Sequence, residues 1–390
     1  MWTEALALLC LSLLLPGSLY LGLLSLAALR PPRTSEREPA RPAQLVVLVP
    51  AHDEEAGLAR TLRSLRAERE RAGAAAGLRI VVVADNCSDA TATVARAEGA
   101  EVLERRDPLH RGKGYALAYA FERLAEADWF IVIDADSDVE PGFLVAMRAA
   151  MHEDRAALQC RYGVRDPLSS RRATLADVAL AAWNVLRPRG RAALGLSCGI
   201  LGNGFALSRR TLARVPYAAH SIVEDVEYHQ LLLQAGLRVH WVDEAGVRGD
   251  MPAGDAAAAR QRARWEGGRL RLILTRAPRL LLQLLRGHWR LADPLLDLLT
   301  LPLAWHCSLL LLAALLGAAS GHWTVTLALA GLAGLGLHVA IALRLLPAGR
   351  AHWRALLGVP AYLLWKLGLA GATLAAARRN DWVRSERETR

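Results

Sequence analysis

The sequence predicts an α/β fold: a cytoplasmic domain built on a Rossmann-like, doubly wound and mostly parallel sheet, flanked by transmembrane and interfacial helices. Three observations predict it. Runs rich in Val and Ile alternate with helical stretches across 44–267, the pattern of a parallel sheet covered on both faces. Long uncharged runs stand near both ends of the 390 residues. The composition is split in the same sense. At 53% hydrophobic residues the chain is too apolar for an ordinary soluble domain, and at 22% charged it is too polar for a membrane bundle alone; the mean hydropathy of +0.19 lies between the two.

The first element, 1–30, reads as a transmembrane anchor. Its run 5–29 carries no charge, Glu4 precedes it, and Arg30, Arg33 and Arg37 follow. A cleaved leader would have a shorter apolar core with basic residues before it. The positive-inside rule puts the N-terminus outside and the next domain in the cytoplasm. The stretches LVVLVP (45–50), RIVVVAD (79–85) and WFIVIDAD (129–136) read as buried parallel strands, with helices over 54–71, 90–98 and 113–126 and a Gly/Ala connection at 72–77.

Beyond 267 the pattern changes. Over 268–290, Leu and Ile interleave with Arg269, Arg271, Arg276, Arg279 and Arg286, which predicts an amphipathic helix in the headgroup plane. The region 291–377 holds apolar stretches at 294–317, 322–346 and 355–377. The last contains Gly358, Pro360 and Lys366 and is expected to be interfacial or re-entrant. That keeps the basic tail 378–390, with Arg378, Arg379, Arg384, Arg387 and Arg390, on the cytoplasmic side.

Composition also excludes functions. Five Cys with no CxxC pair give neither a disulfide scaffold nor a zinc module. The net charge of +10 is almost wholly arginine, since Lys113 and Lys366 are the only lysines, and arginines flanking membrane segments account for much of it. Nucleic acid is not an expected partner, because the strand ends are acidic rather than basic. There is no GxxxxGK[ST] P-loop and no GxGxxG after a strand.

In a doubly wound sheet, ligands sit beyond the carboxyl ends of the strands. Here those ends carry His52, Asp53, Glu54 and Glu55; Asp85, Asn86, Ser88 and Asp89; and Asp134, Asp136 and Asp138. Asp53 and Asp89 have a plainer role as helix caps, and so does Asp138 before Pro141. Three acidic ends at one sheet edge repel one another unless a cation intervenes. Mg2+ or Mn2+, held by carboxylate oxygens and bridging to a phosphate, is the expected neutraliser. RGKGYAL (111–117) adds two glycines around Lys113 at a helix start, where backbone amides and an ammonium can approach an anion.

PAHDEE, ADNCSDAT, GKG, DADSD, VED (223–225) and QRARW (261–265), in this order, resemble the family 2 glycosyltransferases. The last two motifs resemble the membrane-embedded branch that includes cellulose, chitin, hyaluronan and poly-N-acetylglucosamine synthases. The resemblance covers about 45–265 and implies a GT-A fold and a UDP-sugar donor. It implies that Ala51, Glu54 and Asp85 contact the nucleotide, with Asp85 accepting from uracil, and that Lys113 lies near the base or diphosphate. Asp134 is implied near the ribose, and Asp136 as the metal ligand. Asp225, beside Glu224, matches the family's general base. A Glu–Asp pair is otherwise read as two solvated charges on a helix. Gly202 and Asn203 of the GNG loop, with Gln261, Arg264 and Trp265, are implied on the acceptor and diphosphate side. SCGILGNG departs from the cellulose-synthase pattern, which puts cellulose as product in doubt. Trp382, Arg384 and Arg387 resemble a gating segment; a basic terminus without structure is the other reading.

The expected activity is inverting transfer of a hexosyl or N-acetylhexosaminyl group to an acceptor hydroxyl, in polysaccharide or glycan synthesis at a bacterial inner membrane. The acceptor is a glycan or lipid, with a homodimer or secretion partner able to complete an export route. Two alternatives stand beside it: single-sugar transfer to a lipid or carrier, and a non-catalytic nucleotide-sugar-binding subunit of a secretion complex.

Overall fold

The computed structural model describes residues 2–30, 44–73, 77–252, 254–321, 323–347 and 349–378. These residues form two compact units: a sheet unit within 44–166 and 195–258, and a helical unit within 2–30, 167–194 and 259–378.

The sheet unit has strands β1 (Leu45–Ala51), β2 (Leu78–Asp85), β3 (Glu101–Arg105), β4 (Trp129–Val132), β5 (Ser137–Val139), β6 (Ala157–Val164), β7 (Phe205–Ser208) and β8 (Val239–Gly249). Their spatial order is β3-β2-β1-β4-β7-β6-β8-β5. The first four are parallel; β7 joins β4 and β6 antiparallel, β6 pairs β8 in parallel, and β5 pairs β8 antiparallel. Val46 to Val49 of β1 are wholly buried, as a central strand covered on both faces requires. Helices Leu58–Arg71, Thr91–Ala97 and Lys113–Arg123 link the parallel strands.

Ala51 pairs with Ala84 and Leu48 with Val132, so β1, β2 and β4 bring their carboxyl ends to one edge, as the sequence predicts. Three local expectations need correction. The strand expected over 129–136 leaves the ladder after Val132, because the Ser137 amide donates to the Asp134 carbonyl and turns the chain. The helix expected from 54 starts at Leu58, since the Gly57 and Leu58 amides close a turn on the Glu54 carbonyl. Asp138 caps nothing: it lies in β5, paired to Arg165 at 2.7 Å, and the following helix Phe143–Ala150 begins at Gly142 with no side-chain cap.

In the helical unit, Trp2–Ala27 and Thr324–Leu345 are long and apolar enough to cross a membrane. Leu11 and Leu14 of the first pack with Leu310, Ala313 and Ala328. The segment 167–194 falls in this unit although it lies within the expected 44–267 domain. Its Ala181, Ala182 and Leu186 cluster with Ala28, Ile341 and Ala342. Its buried Arg191 is held by Asp293 and by Asp297 at 2.9 Å. The run 294–317 is not one helix: Trp289–Leu299 and Leu303–Ala319 meet at 81°. Pro302 explains the break, since the residue before a proline is pushed out of the helical region. Arg350–Gly368 and Ala370–Arg378 meet at 46°. Lys366 is buried there against Glu266, whose other oxygen accepts from the Trp305 indole at 2.8 Å. The basic stretch 268–290 continues a longer helix, Asp255–Leu285, and Leu274, Leu281, Leu282 and Leu285 are exposed on it.

Candidate functional site

The carboxyl edge of β1, β2 and β4 gathers most of the residues singled out in the sequence. β1 ends at Ala51, which is buried. Asp53 follows at a positive φ of 52°. Its carboxylate accepts from the Ser88 amide at 2.6 Å, and Asp89 accepts from the Glu55 amide at 3.1 Å. The Glu54 amide donates to Thr91 Oγ1 at 2.7 Å. Asp53 and Asp89 thus tie the two loops together through backbone donors; neither is the helix cap expected of it, since Leu58–Arg71 and Thr91–Ala97 start at Gly57 and Ala90 without a side-chain cap. Asp53, Cys87 and Asp89 stand close enough to share an ion. Their carboxylates are engaged by backbone amides, however, and a thiol suits Mg2+ or Mn2+ poorly.

The GKG turn aims Lys113. Gly112 adopts φ 121°, outside the range of L side chains, and a Cβ on Gly114 would lie 2.0 Å from the Ala219 carbonyl oxygen. Lys113 Nζ donates to Asp134 Oδ1 and to the Gly202 carbonyl. Burial works to lower its pKa, but Asp134, Glu224 and Asp225 outweigh burial and raise it, so the ammonium stays charged.

Asp134 and Asp136 are part-buried and flank the buried Ala135 in the turn after β4. Ser137 Oγ donates to Asp136 Oδ1 at 3.0 Å. Asn203 Nδ2 donates to Ser137 Oγ at 2.8 Å, and Asn203 Oδ1 accepts from the Asp134 amide at 3.1 Å. Asn203 is itself fully buried, and Gln159 Nε2 donates to its carbonyl at 2.7 Å. The Gln159 Oε1 accepts from the Leu201 amide at 2.9 Å. Both ends of the Asn203 amide therefore hold the Asp134–Asp136 turn. The Asn203 side chain is thereby engaged inside the protein. The hard oxygens of Asp134 and Asp136, oriented this way, fit Mg2+ or Mn2+.

Gly202 has φ +79°, and a Cβ there would lie 3.2 Å from Asp225 Oδ2, so the base candidate lies directly against the GNG loop. Glu224 and Asp225 open the helix Glu224–Gln234, and Asp225 Oδ1 accepts from the Val226 amide at 2.8 Å. Burial, then the Asp225 charge, pushes the Glu224 carboxyl up to about 7. Burial raises Asp225 as well, against the Val226 amide and Lys113. Lys113, Asp134, Gly202, Glu224 and Asp225 therefore form one charge-coupled group.

Gln261, Arg264 and Trp265 belong to the helical unit, on Asp255–Leu285. The Arg262 guanidinium lies 5.7 Å from the Trp265 ring centre. Trp382, Arg384 and Arg387 lie outside the described residues. Sequence reasoning missed two residues of the sheet edge. Arg105, in the unrecognised β3, pairs with Asp85 at 2.6 Å; EVLER has no alternation of polar and apolar residues to signal the strand. Gln159 is a fully buried amide in the apolar run ALQC, where a polar residue must have a job.

Residues 129–343, more than half of the chain, match the family described as Glycosyl transferase family group 2. Over 95 residues the chain is 38% identical to the low-salt glycan biosynthesis hexosyltransferase of Haloferax volcanii; the match spans 24% of this chain and 21% of that relative's length. A mannosyltransferase from Pyrobaculum calidifontis, solved in complex with GDP-Man and Mn2+, superposes with a TM-score of 0.55 at 18% identity, covering 96% of this chain and 97% of that one. A glucosyl-3-phosphoglycerate synthase from Mycobacterium tuberculosis, in complex with Mn2+, UDP and glucosyl-3-phosphoglycerate, gives a TM-score of 0.41 at 22% identity, covering 61% of this chain and 86% of that one.

Proposed function

The chain belongs to glycosyl transferase family group 2, and from that membership we propose that it is a membrane-bound inverting transferase that moves a sugar from a UDP-sugar to an acceptor hydroxyl. The observation that carries this reading is the coupled group in which Asp225 abuts Gly202 while Lys113 joins Asp134 to the same loop. Inversion needs a base on the face opposite the leaving diphosphate, and Asp225 takes that part by accepting the acceptor hydroxyl's proton. Glu224, pushed up to about 7 by burial and by the Asp225 charge, stands next to it as a second buried carboxyl. Lys113 keeps a positive charge beside the position where the diphosphate gathers charge.

Asp136 would hold Mg2+ or Mn2+, with Asp134 on the ribose side, and the ion supplies Lewis-acid neutralisation of the leaving group when bound. Asp85 and the loops around Ala51 and Glu54 take the nucleoside. Gln261, Arg264 and Trp265 serve the acceptor or diphosphate side, the arginine as a fork for phosphate oxygens and the indole as a flat face for a sugar ring. The helices Trp2–Ala27 and Thr324–Leu345 would anchor the protein in a bacterial inner membrane, with the sheet unit cytoplasmic.

Two readings of the product remain under test. Extension of a β-linked polymer follows from the QRARW resemblance. Single transfer to a lipid or carrier is favoured by the two uninterrupted apolar helices beside two bent pairs among the described residues. Purified protein in nanodiscs with Mn2+ or Mg2+, challenged with a panel of UDP-sugars, separates them. UDP release with a product ladder supports the polymer, and release with one sized product supports single transfer. No release from any donor, with UDP bound, returns the chain to the class of non-catalytic subunits.

A pH prediction follows from the charge coupling. Lys113 favours the ionised forms of Asp225 and Glu224, so Lys113→Met raises both pKa values. A base must be deprotonated to act, and the acid limb of the kcat/KM profile should therefore move to higher pH. An acid limb that stays in place or moves to lower pH would remove Asp225 and Lys113 from one electrostatic unit.

A further inference from the structure

Asp85 and Arg105 are register partners at the ends of β2 and β3, and both are buried. Arg105 Nη1 donates to Asp85 Oδ1 at 2.6 Å, and Asn86 Nδ2 donates to the same oxygen at 3.0 Å. Oδ1 therefore has two donors, whereas Oδ2 has no partner among the described residues. The frame around the pair is fixed from several sides. Arg105 Nη1 also donates to the His110 carbonyl at 2.9 Å, and Nη2 to Asp107 at 3.0 Å. Asn86, at a positive φ of 52°, donates its amide to the Arg105 carbonyl and accepts from the Asp107 amide, each at 2.7 Å. A strained asparagine held by both strand ends is a position that the surroundings over-determine. His52 Nδ1 reaches the Asp85 carbonyl at 2.7 Å and adds the end of β1 to the same frame.

We propose that Arg105 is a positioning residue that sets the base specificity of the donor site: by occupying one oxygen of Asp85 it leaves a single charged acceptor, which suits a base with one ring N–H. This inference rests on the reading of this edge as a nucleotide-sugar site. Uracil presents one such group, N3–H, between two carbonyls. Guanine presents N1–H and an amino group side by side, a pair best met by both oxygens of one carboxylate. Cytosine places a ring lone pair where uracil has its proton, facing the carboxylate. A buried polar group left unmatched is what gives a site its power to reject.

The experiment is calorimetric titration of the full chain in nanodiscs with Mn2+, using UDP, GDP and CDP. Wild type should bind UDP about 10- to 100-fold more tightly than GDP or CDP, the range set by one hydrogen bond to a charged group. Arg105→Met frees Oδ1, so UDP should weaken, GDP should strengthen, and the UDP preference over GDP should fall about tenfold. Arg105→Lys keeps a cation on Oδ1 and should restore part of the preference. Asn86→Gly removes the other donor, suits the positive φ, and should relax the preference in the same direction. Thermal unfolding of each variant separates lost fold from lost selectivity; if Arg105→Met does not fold, the lysine and Asn86→Gly variants carry the comparison.

Wild type binding GDP or CDP as tightly as UDP would overturn the proposal. So would variants that weaken all three nucleotides equally, the behaviour of a merely structural arginine. The underlying reading fails separately. Selective UDP binding that relaxes in the variants, without turnover of any donor, refutes the transferase and keeps the specificity role. Turnover with an unchanged preference in the variants does the reverse.

Discussion

Asp225→Asn is expected to lower sugar transfer by about 10²–10⁴-fold, the range for loss of a positioned general base, while UDP binds as before. The amide keeps the size of the carboxylate and can still accept from the Val226 amide, so the helix start survives. What disappears is the basic oxygen beside Gly202. The effect should fall on kcat and kcat/KM together, because proton removal belongs to the transition state. Glu224→Gln supplies the contrast: it removes a neighbouring acid that burial keeps part-protonated near neutral pH, and should cost less. Near-normal turnover in Asp225→Asn would transfer the base role elsewhere. Equal loss of UDP affinity would mean that Asp225 holds the donor rather than activating the acceptor.

Gly114→Ala should be among the most damaging single-methyl changes in the sheet unit. The added carbon would meet the backbone carbonyl of Ala219 at 2.0 Å, and a carbonyl fixed in the chain cannot swing aside as a side-chain end can. Overpacking of this kind costs about 1–3 kcal/mol and occasionally more. The relief available is displacement of the GKG turn, which carries Lys113 away from Asp134 and Gly202. Thermal unfolding should show the loss of stability, and UDP titration should show weakened binding in whatever protein remains folded. Gly57→Ala is the control, since a Cβ there meets nothing within 4 Å; it should stay within about 0.5 kcal/mol of wild type. Equal behaviour of the two alanines would contradict the close approach.

The parallel half of the sheet was legible because β1, β2 and β4 are apolar on both faces and end in polar residues that loops display. β3 was not, since its five residues carry three charges and rest on an edge. The other half of the sheet mixes parallel and antiparallel strands whose pairing is fixed by contacts distant in sequence, such as Gln159 with Phe205 and Ser137 with Gly249. Periodicity does not carry that information. Motif matching found Asn203 but not its hydrogen bonds to the Asp134–Asp136 turn, because a motif records which residue stands in a loop and not where its amide points. The break before Leu303 had a visible signal in Pro302, masked by the uniform apolarity around it. Residues 167–194 kept their membership hidden for a different reason. An apolar helix reads alike whether its partners are strands or other helices.

The pairing of Lys366 with Glu266 has a consequence for biogenesis. The two residues are one hundred positions apart in the chain. A protein emerges from the ribosome N-terminus first, so the carboxylate is made, with its helix, well before its counter-ion exists. Apolar segments such as Trp2–Ala27 can partition into lipid on their own hydrophobicity. A segment bearing an ammonium cannot settle in an apolar interior until the partner is there to receive it. Maturation of the helical unit is therefore expected to be ordered, with the docking of its last segment as the closing event. A nascent chain arrested before residue 366 should leave Glu266 reactive to water-soluble carboxyl reagents, and the finished protein should shield it.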